Sequence, residues 1–195
     1  MISDSARILP NVELGKNVSI GENCLIGVTN PHCEGKTTVI GDNSVIRSHS
    51  VIYAGNVIGE NFHCGHAANI RENNKIGNNV SLGTHSVIEH QVTIEDDVRI
   101  HTQVFIPEHS VLRKGCWIGP NVVLTNAKFP NQPDTKANLA GPIVGEKARV
   151  GANATLLPGV KVGLNAFVGA GSVVTKDVPD ETTVAGNPAK ILENK

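Results

Sequence analysis

The sequence predicts an all-β solenoid, a parallel β-helix of roughly eight triangular coils, and three observations lead to this prediction. Aliphatic residues recur every six positions, as at Ile40, Ile46 and Ile52. Small residues, such as Ser44 and Ser50, stand two positions before most of these aliphatic residues. Only 3% of the 195 residues are aromatic, so the chain cannot fill an ordinary globular core and needs a narrower one.

The six-residue period fits a short strand followed by a bend, whereas a helix has no such period. Residues two apart in a strand face the same side, so the aliphatic residue and the small residue before it both point inward. Asn and Gly, as in Gly41-Asp-Asn, occupy the bends because they tolerate a positive φ. Three strand-and-bend units make one coil, and stacked coils bury their Ile and Val columns against one another.

The repeat begins at Ile8 and is interrupted twice. It slips by two residues at 31–33, and it slips again after Leu124. Residues 129–143 are rich in Pro and Asn, so we expect them to form an external loop.

One hexapeptide-repeat domain is expected over residues 1–186, with the loop extruded from it. Residues 187–195 begin with Asn-Pro-Ala, and Pro is favoured in the first turn of a helix. The sequence therefore predicts a short C-terminal helix and tail, which would cap the open edge of the last coil.

Composition excludes several kinds of partner. The net charge is −1 with acids and bases interspersed, which favours neither nucleic acid nor an anionic membrane surface. No apolar run approaches the roughly 18 residues that span a bilayer, and the N-terminus has no signal pattern, so we expect a cytoplasmic protein. Cys24, Cys64 and Cys116 fall on inward positions, which predicts buried free thiols and not disulfides or a zinc cage.

The hexads separate into three corners according to their place in the coil. Corner one, at residues such as 41–43 and 59–61, carries ordinary turn sequences. Corner two comprises residues 47–49, 65–67, 83–85, 101–103, 119–121, 151–153 and 169–171. Corner three comprises residues 53–55, 71–73, 89–91, 107–109, 125–127, 157–159 and 175–177.

Corners two and three carry six histidines, two arginines and three glutamates where a turn needs none of them. A purely structural prism has no reason to distinguish its corners, so this asymmetry predicts a site. In the upper coils the same corners change to Gly, Ala and Pro, which leaves bare backbone for a narrow ligand.

The end of the sequence resembles a known family. The stretches Val168-Gly-Ala-Gly-Ser-Val-Val-Thr-Lys-Asp-Val-Pro and Gly186-Asn-Pro-Ala-Lys look like the coenzyme A-dependent branch of the hexapeptide-repeat acyltransferases. The resemblance implies a left-handed β-helix, a homotrimer with active sites between neighbouring subunits, and acetyl-CoA along the upper coils, with no metal. The residues that it assigns to the coenzyme are Ala152, Ala170, Thr175, Lys176 and Lys190.

One departure from the family narrows the expected acceptor. Sugar O-acetyltransferases of the family have a catalytic His in a T-x-x-H-P stretch, where this chain has Thr125-Asn-Ala-Lys-Phe-Pro. The Thr-Asn form resembles the nucleotide-sugar N-acetyltransferases, which acylate the amino group of a nucleotide-linked deoxyamino sugar. Amine acceptors need less help, because a neutral amine already attacks a thioester.

The resemblance directs attention to the coil below the coenzyme thiol. There we expect His101 to accept the proton or orient the amine, with Glu108 as its partner or as the acceptor for the ammonium. Gln103 and Asn126 are expected to position the sugar or stabilise the thioester oxyanion. The residues expected to contact a longer acceptor, or to bridge subunits, are His66, Arg71 and His85.

Three alternatives stay open from the sequence. The first alternative is an O-acetyltransferase that acts on a sugar hydroxyl, the second is a metalloenzyme similar to the γ-class carbonic anhydrases, and the third is a scaffold without a ligand. The second alternative rests on His85 and His90, whose separation matches that of two zinc ligands, and on His49 stacked two coils below His85. The third leaves the Gly186-to-Lys190 ending without an explanation.

Overall fold

A computed structural model describes residues 1–192 of the chain. Its strands, numbered in chain order, form three sheets that are the faces of a triangular prism. Sheet B contains nine strands: β1 Arg7–Ile8, β4 Leu25–Val28, β7 Val51–Tyr53, β10 Asn69–Ile70, β13 Val87–Ile88, β16 Phe105–Ile106, β19 Val123–Leu124, β22 Thr155–Leu156 and β25 Val173–Val174.

The other two faces are built in the same way. Sheet C contains eight strands: β2 Val12–Leu14, β5 Thr38–Ile40, β8 Val57–Ile58, β11 Lys75–Ile76, β14 Thr93–Ile94, β17 Val111–Leu112, β20 Ile143–Val144 and β23 Lys161–Val162. Sheet A contains ten strands: β3 Ser19–Ile20, β6 Val45–Ile46, β9 His63–Cys64, β12 Ser81–Leu82, β15 Arg99–Ile100, β18 Trp117–Ile118, β21 Arg149–Val150, β24 Phe167–Val168, β26 Thr183–Gly186 and β27 Ala189–Ile191.

The hexad register places each strand directly beside the strand that lies one coil earlier in the chain. Ile70 pairs with Ile88, and Ile88 pairs with Ile106, in parallel strands one coil apart. These three side chains are fully buried. The aliphatic columns therefore form the core, and the predicted all-β solenoid is confirmed.

Bends with a left-handed backbone separate the strands. Asn43, Asn61 and Asn79 have φ values of 58°, 55° and 57° at successive coils of corner one. Asn adopts this conformation at lower cost than most residues, since its short side chain bonds to nearby backbone. The expected role of Asn at the bends is confirmed.

The number of coils is slightly larger than predicted. The three sheets contain nine, eight and ten strands, which makes nine to ten turns instead of eight. The additional strands, β26 and β27, lie at the C-terminal end of sheet A, and near the N-terminus Ile2 forms an isolated bridge to Ile20. The hexad count does not include these positions, because the six-residue spacing breaks down near both termini.

Two segments leave the prism between strands. Residues 29–37 separate β4 from β5, and residues 125–142 separate β19 from β20. The longer segment contains a 3₁₀ helix, Thr135–Asn138, and returns to the coil register where the Ala140 amide donates to the Asn126 carbonyl oxygen at 2.9 Å.

The predicted C-terminal helix is wrong for the residues that the structure describes. After Gly186, which has a φ of 102°, the chain turns back as β27 and pairs antiparallel with β26. The reason is the open edge of sheet A, whose unpaired backbone groups are satisfied by a strand and would not be by a helix. Residues 193–195 lie outside the described part of the chain.

All four cysteines are buried free thiols, as expected. Burial raises the pKa of Cys64 and of Cys116 to about 12, so both stay protonated at neutral pH. Within residues 1–192, no helix has the length and apolar character that a membrane span requires.

Candidate active site

The predicted acceptor residues lie at two corners on opposite edges of sheet B. Corner two joins sheet A to sheet B and carries His66, His85, His101 and Gln103. Corner three joins sheet B to sheet C, and it carries the predicted residues Arg71, Glu108 and Asn126. Between the two groups, no hydrogen bond or salt bridge occurs in the described part of the chain.

Three residues of corner three are stacked at intervals of one coil. The Asn126 side-chain amide donates to Glu108 Oε2 at 2.6 Å, and Nδ1 of His90 lies 4.0 Å from Glu108 Oε1. The same Nδ1 lies 3.8 Å from Glu89 Oε2. It is buried and has no hydrogen-bond partner in residues 1–192. This arrangement places an imidazole between two carboxylates.

Sequence reasoning missed His90 as part of this group and considered it only as a zinc ligand. The signal that finds it is the coil period, because His90, Glu108 and Asn126 are 18 residues apart. A period of one coil puts side chains of the same corner directly above one another.

Arg71 is held by two acidic side chains and one aromatic ring. Its guanidinium lies 3.0 Å from Glu72 Oε2, 3.4 Å from Glu89 Oε2 and 5.1 Å from the centre of the Tyr53 ring. Arg71 therefore links the buried Glu72 to the carboxylate beside His90. Its charge is already satisfied within the chain, which makes it a support for the site more than a free contact for a ligand.

Glu72 carries a negative charge inside the protein. Its side chain has 0% exposure, and burial alone would raise its pKa. Hydrogen bonds from Asn30 and from its own backbone, together with Arg71, hold the pKa below its ordinary value. The carboxylate therefore stays ionised and ties residues 29–37 to corner three.

A cavity of about 420 Å³ opens beside this group. Two segments outside the prism close it: His32 belongs to residues 29–37, and Lys136 and Leu139 belong to residues 125–142. The corner residues that line it are Arg71, Glu72, His90, Gln91, Glu108 and His109. Both cations and carboxylates face this space, which suits a polar acceptor.

His101 has a different environment at corner two. Its ring packs against Trp117 with 4.7 Å between the ring centres, and its Nε2 is buried without a partner in residues 1–192. Burial, together with the nearby positive charge of Arg99, lowers its pKa below the ordinary value. His101 is therefore neutral at pH 7 and has a nitrogen available to accept a proton.

The remaining predicted residues of corner two take part in the bends. His85 and Gln103 have φ values of 58° and 59°, and their amides donate to carbonyls one coil below. Their side chains are exposed. His66 Nδ1 lies 2.7 Å from the Ser48 hydroxyl.

The residues assigned to the coenzyme lie above the acceptor groups. Ala152 and Ala170 are on corner two, Thr175 and Lys176 are on corner three, and Lys190 is on β27. All except Ala152 are exposed. An apolar cavity of about 440 Å³ reaches Ala170; it is lined by Gly115, Trp117, Lys147, Arg149, Gly151, Phe167 and Ala170.

The zinc alternative places its ligands across a subunit interface, and within one chain its histidines do not meet. His85 and His90 lie on different corners, separated by strand β13. The donor atoms that do approach one another belong to Glu89, His90 and Glu108, within 4.8 Å. Arg71 already contacts the Glu89 oxygen that faces His90, so this oxygen has a cationic partner and is a poor ligand for a divalent ion.

Comparisons with known proteins agree with the fold. The sequence matches the family described as bacterial transferase hexapeptide (six repeats) at residues 68–108 and 141–176. Residues 17–54 match the hexapeptide repeat of succinyl-transferase. A solved UDP-N-acetylglucosamine acyltransferase from Campylobacter jejuni superposes with a TM-score of 0.84 over 99% of this chain and 74% of that one, at 20% identity.

Two curated relatives have higher identity over part of their length. A galactoside O-acetyltransferase of Lactococcus lactis is 34% identical over 119 residues, which are 59% of this chain and 53% of that protein. The bifunctional protein GlmU of Listeria monocytogenes is 36% identical over 177 residues, which are 85% of this chain and 37% of that protein. The chain thus spans about half of the first relative and just over a third of the second. Because the repeat matches together span more than half of its residues, the chain belongs to the hexapeptide-repeat transferases.

Proposed function

We propose that the chain is an acetyl-CoA-dependent acyltransferase that acetylates the amino group of a nucleotide-linked deoxyamino sugar in the cytoplasm. The observation that carries the proposal is the stacked group of His90, Glu108 and Asn126 beside Glu89. Two carboxylates and an imidazole face one place there. Such a place attracts an ammonium ion and can remove its proton.

The reaction needs one proton to be moved. A neutral amine attacks the thioester carbonyl, a C–N bond forms, and the C–S bond breaks. The proton leaves the amine nitrogen for a base and passes to the thiolate, so that an amide and a free thiol result. In this proposal Glu108 orients the acceptor as an ammonium ion, which releases one proton to solvent to give the neutral amine. A neutral imidazole then accepts the proton that is lost as the C–N bond forms, and Gln103 and Asn126 position the sugar or the thioester oxygen.

His101 is the proposed proton acceptor, and His90 is the second candidate. The lowered pKa of His101 and its unpaired Nε2 support the first assignment. The short distance between His90 and Glu108 supports the second. Since His101 and Glu108 lie at opposite edges of sheet B, a site that uses both needs a second copy of the chain.

We therefore propose a homotrimer in which corner two of one protomer faces corner three of the next. The outer surface of sheet B supports this arrangement. Its outward positions are largely apolar, and Phe105 and Val123 are 37% and 39% exposed in the single chain. Apolar rows of this kind are typical of surfaces between subunits. His66 and His85 then contact the acceptor or the neighbouring subunit.

The acyl donor is proposed to lie along the upper coils. Ala152 and Ala170 offer backbone groups, and the cavity beside Ala170 is apolar enough for a pantetheine arm. Lys176 and Lys190 are exposed cations that attract phosphates, with Thr175 beside the first. In this proposal no metal ion takes part in the reaction.

The test is an acceptor screen with acetyl-CoA, in which free thiol is measured for nucleotide-linked amino sugars and for their hydroxyl counterparts. We expect thiol release with an amino sugar and a large loss of that release in Glu108→Gln. Turnover on hydroxyl acceptors alone contradicts N-acylation. Failure to bind coenzyme A in calorimetry contradicts the acyltransferase proposal as a whole.

O-acetylation of a sugar hydroxyl is the second candidate function. The similarity to a galactoside O-acetyltransferase favours it. Against it, Lys128 and Phe129 precede Pro130 where the O-acetyltransferases have their catalytic His, so the base for a hydroxyl is missing from that position. The same screen distinguishes the two candidates.

A further inference from the structure

The outer face of sheet A carries a groove of about 250 Å³, of whose lining residues only His101 has a role in the reaction proposed above. Arg47 and His63 line its lower end, and Arg99 and His101 line its upper end. Between them lies Ser81, which pairs with His63 on one side and with Arg99 on the other. Its short side chain leaves a depression between the longer side chains of His63 and Arg99. We call this feature the sheet A groove.

Two glycines keep the floor of the sheet A groove bare. A Cβ atom on Gly83 would lie 2.3 Å from the backbone of His101, and one on Gly65 would lie 2.4 Å from the backbone of Thr84. Neither contact is possible, so no side chain can fill the groove at these two positions. The depression is therefore built into the stacking of the coils.

The sheet A groove is positively charged. Arg47 and Arg99 are exposed, and neither has a salt-bridge partner within residues 1–192. Among residues 1–192, no Asp or Glu lines the groove. Arg71 and Arg113 are each paired with glutamates, whereas Arg7 and Arg149, like Arg47 and Arg99, have no salt bridge in residues 1–192. In a chain whose net charge is −1, two unpaired arginines at one groove mark a place for an anion.

The dimensions favour a diphosphate over a single phosphate. His63 and Arg99 are two strand spacings apart, or roughly 10 Å. If each of these two side chains donates one hydrogen bond of about 2.8 Å toward the other, the two acceptor oxygens between them are roughly 4 to 5 Å apart. The oxygens of one phosphate are closer together than this, whereas those at the two ends of a diphosphate span it.

We propose that the sheet A groove binds the diphosphate of the acceptor between His63 and Arg99, with Arg47 adding a further positive charge at the lower end. This inference rests on the proposed function and names the part of the substrate that the lower coils recognise. The groove lies on the coils below the apolar cavity at Trp117 and Ala170, and His101 lies between the two. The order along sheet A is thus acceptor diphosphate, proton acceptor, acyl donor.

The position of His101 supports this order. Its side chain lines the upper end of the groove, and its Nε2 is buried without a hydrogen-bond partner in residues 1–192. An anion beside Arg99 offsets the positive charge that lowers the pKa of His101, so binding of the diphosphate makes the imidazole a stronger base. Acceptor binding and proton transfer are coupled in this way.

Isothermal titration calorimetry of the purified full chain with inorganic pyrophosphate, orthophosphate and coenzyme A tests the proposal. We expect pyrophosphate to bind more tightly than orthophosphate. Arg47→Gln and Arg99→Gln should each weaken pyrophosphate about tenfold, since each removes a charge-assisted contact. Arg7→Gln is the matched control, because Arg7 is exposed on β1 of sheet B and belongs to another face.

Three results overturn the proposal: no binding of pyrophosphate at low salt, wild-type affinity for it in both variants, or an equal loss of coenzyme A affinity, which assigns the groove to the donor. Circular dichroism of each variant excludes a folding defect. The outcome is separable from the proposed function. If pyrophosphate binds but no acetyl transfer occurs, the groove proposal stands and the proposed reaction is rejected. If acetyl transfer occurs but both variants bind pyrophosphate with wild-type affinity, the reaction stands and the groove proposal is rejected.

Discussion

Asn126 donates a hydrogen bond of 2.6 Å to the carboxylate of Glu108 one coil below, and this bond holds Glu108 toward His90. The substitution Asn126→Asp replaces the donor by a second carboxylate. We expect a lower Tm at pH 7, because two like charges in contact destabilise the folded state. The difference in Tm between wild type and variant should become smaller as the pH falls toward 4, because one of the two carboxyl groups then takes up a proton. Asn153→Asp, at an exposed bend of corner two, is the control for an added charge.

Glu108→Gln keeps the size and hydrogen-bonding capacity of the side chain and removes its charge. We expect kcat/KM for the amine acceptor to fall by about 10² or more, because the charge that holds the amine in position for attack is lost. His101→Ala should cause a comparable loss if His101 is the base, and His90→Ala if His90 is. Near wild-type kcat/KM in both Glu108→Gln and His101→Ala contradicts the assignment of these two residues.

A site shared between protomers predicts complementation between two inactive variants. His101→Ala and Glu108→Gln disable different corners of the same chain. In mixed trimers, some clefts then receive an intact corner two from one protomer and an intact corner three from its neighbour. Coexpression with two affinity tags, followed by a rate measurement on the hybrid fraction, should recover part of the wild-type activity. Hybrids as inactive as the parents indicate that each site lies within one chain.

The buried Glu72 predicts a pH-dependent contribution to stability. Glu72→Gln leaves Arg71 without its nearest charge partner, and we expect a loss of about 3 kcal/mol in the free energy of unfolding at pH 7. The folded pKa of Glu72 is lowered, so its contribution is present above the ordinary pKa and is lost as the pH falls through the folded pKa. The difference between wild type and variant should therefore narrow in acid. Urea denaturation at pH 7 and at a series of pH values from 5 down to about 2 measures it. A difference that stays constant over the whole series contradicts the ionised state.

The charge of Arg99 predicts the direction in which His101 titrates. Removing this cation in Arg99→Gln should raise the pKa of His101, because the imidazolium loses a repulsive neighbour, while the effect of burial remains. The other titratable groups that line the same groove are Arg47, His63 and Cys64, and they are unchanged in the variant. NMR titration of the His101 ring measures the pKa. Arg113→Gln, an exposed arginine of corner one, should leave it unchanged.

The prism was predictable because one rule repeats in every coil. Each hexad carries its own inward Ile or Val and its own bend residue, so local pattern and tertiary packing agree. The ends were less predictable. Asn187-Pro-Ala has the local character of a helix start, but a strand that satisfies the edge of sheet A overrides it.

The sequence predicted which two corners of the prism carry the candidate site. It did not predict which side chains contact one another there. The excess of His, Arg and Glu singled out corners two and three. The partners of each side chain depend on which residues lie one coil above and below, and that relationship connects His90 to Glu108, not to His85 five positions earlier. The burial of Glu72 under residues 29–37 has no counterpart in the repeat at all.

The cavity at corner three is closed by segments that do not belong to the repeat. His32 and Lys136 lie in stretches whose backbone hydrogen bonds are mostly local, such as Cys33 to Asn30 and Ala137 to Asp134. Changes of length or sequence in these stretches leave the coil ladder intact. Evolution can therefore alter what enters the cavity independently of the prism, and substrate range can diverge among relatives whose scaffolds remain superimposable.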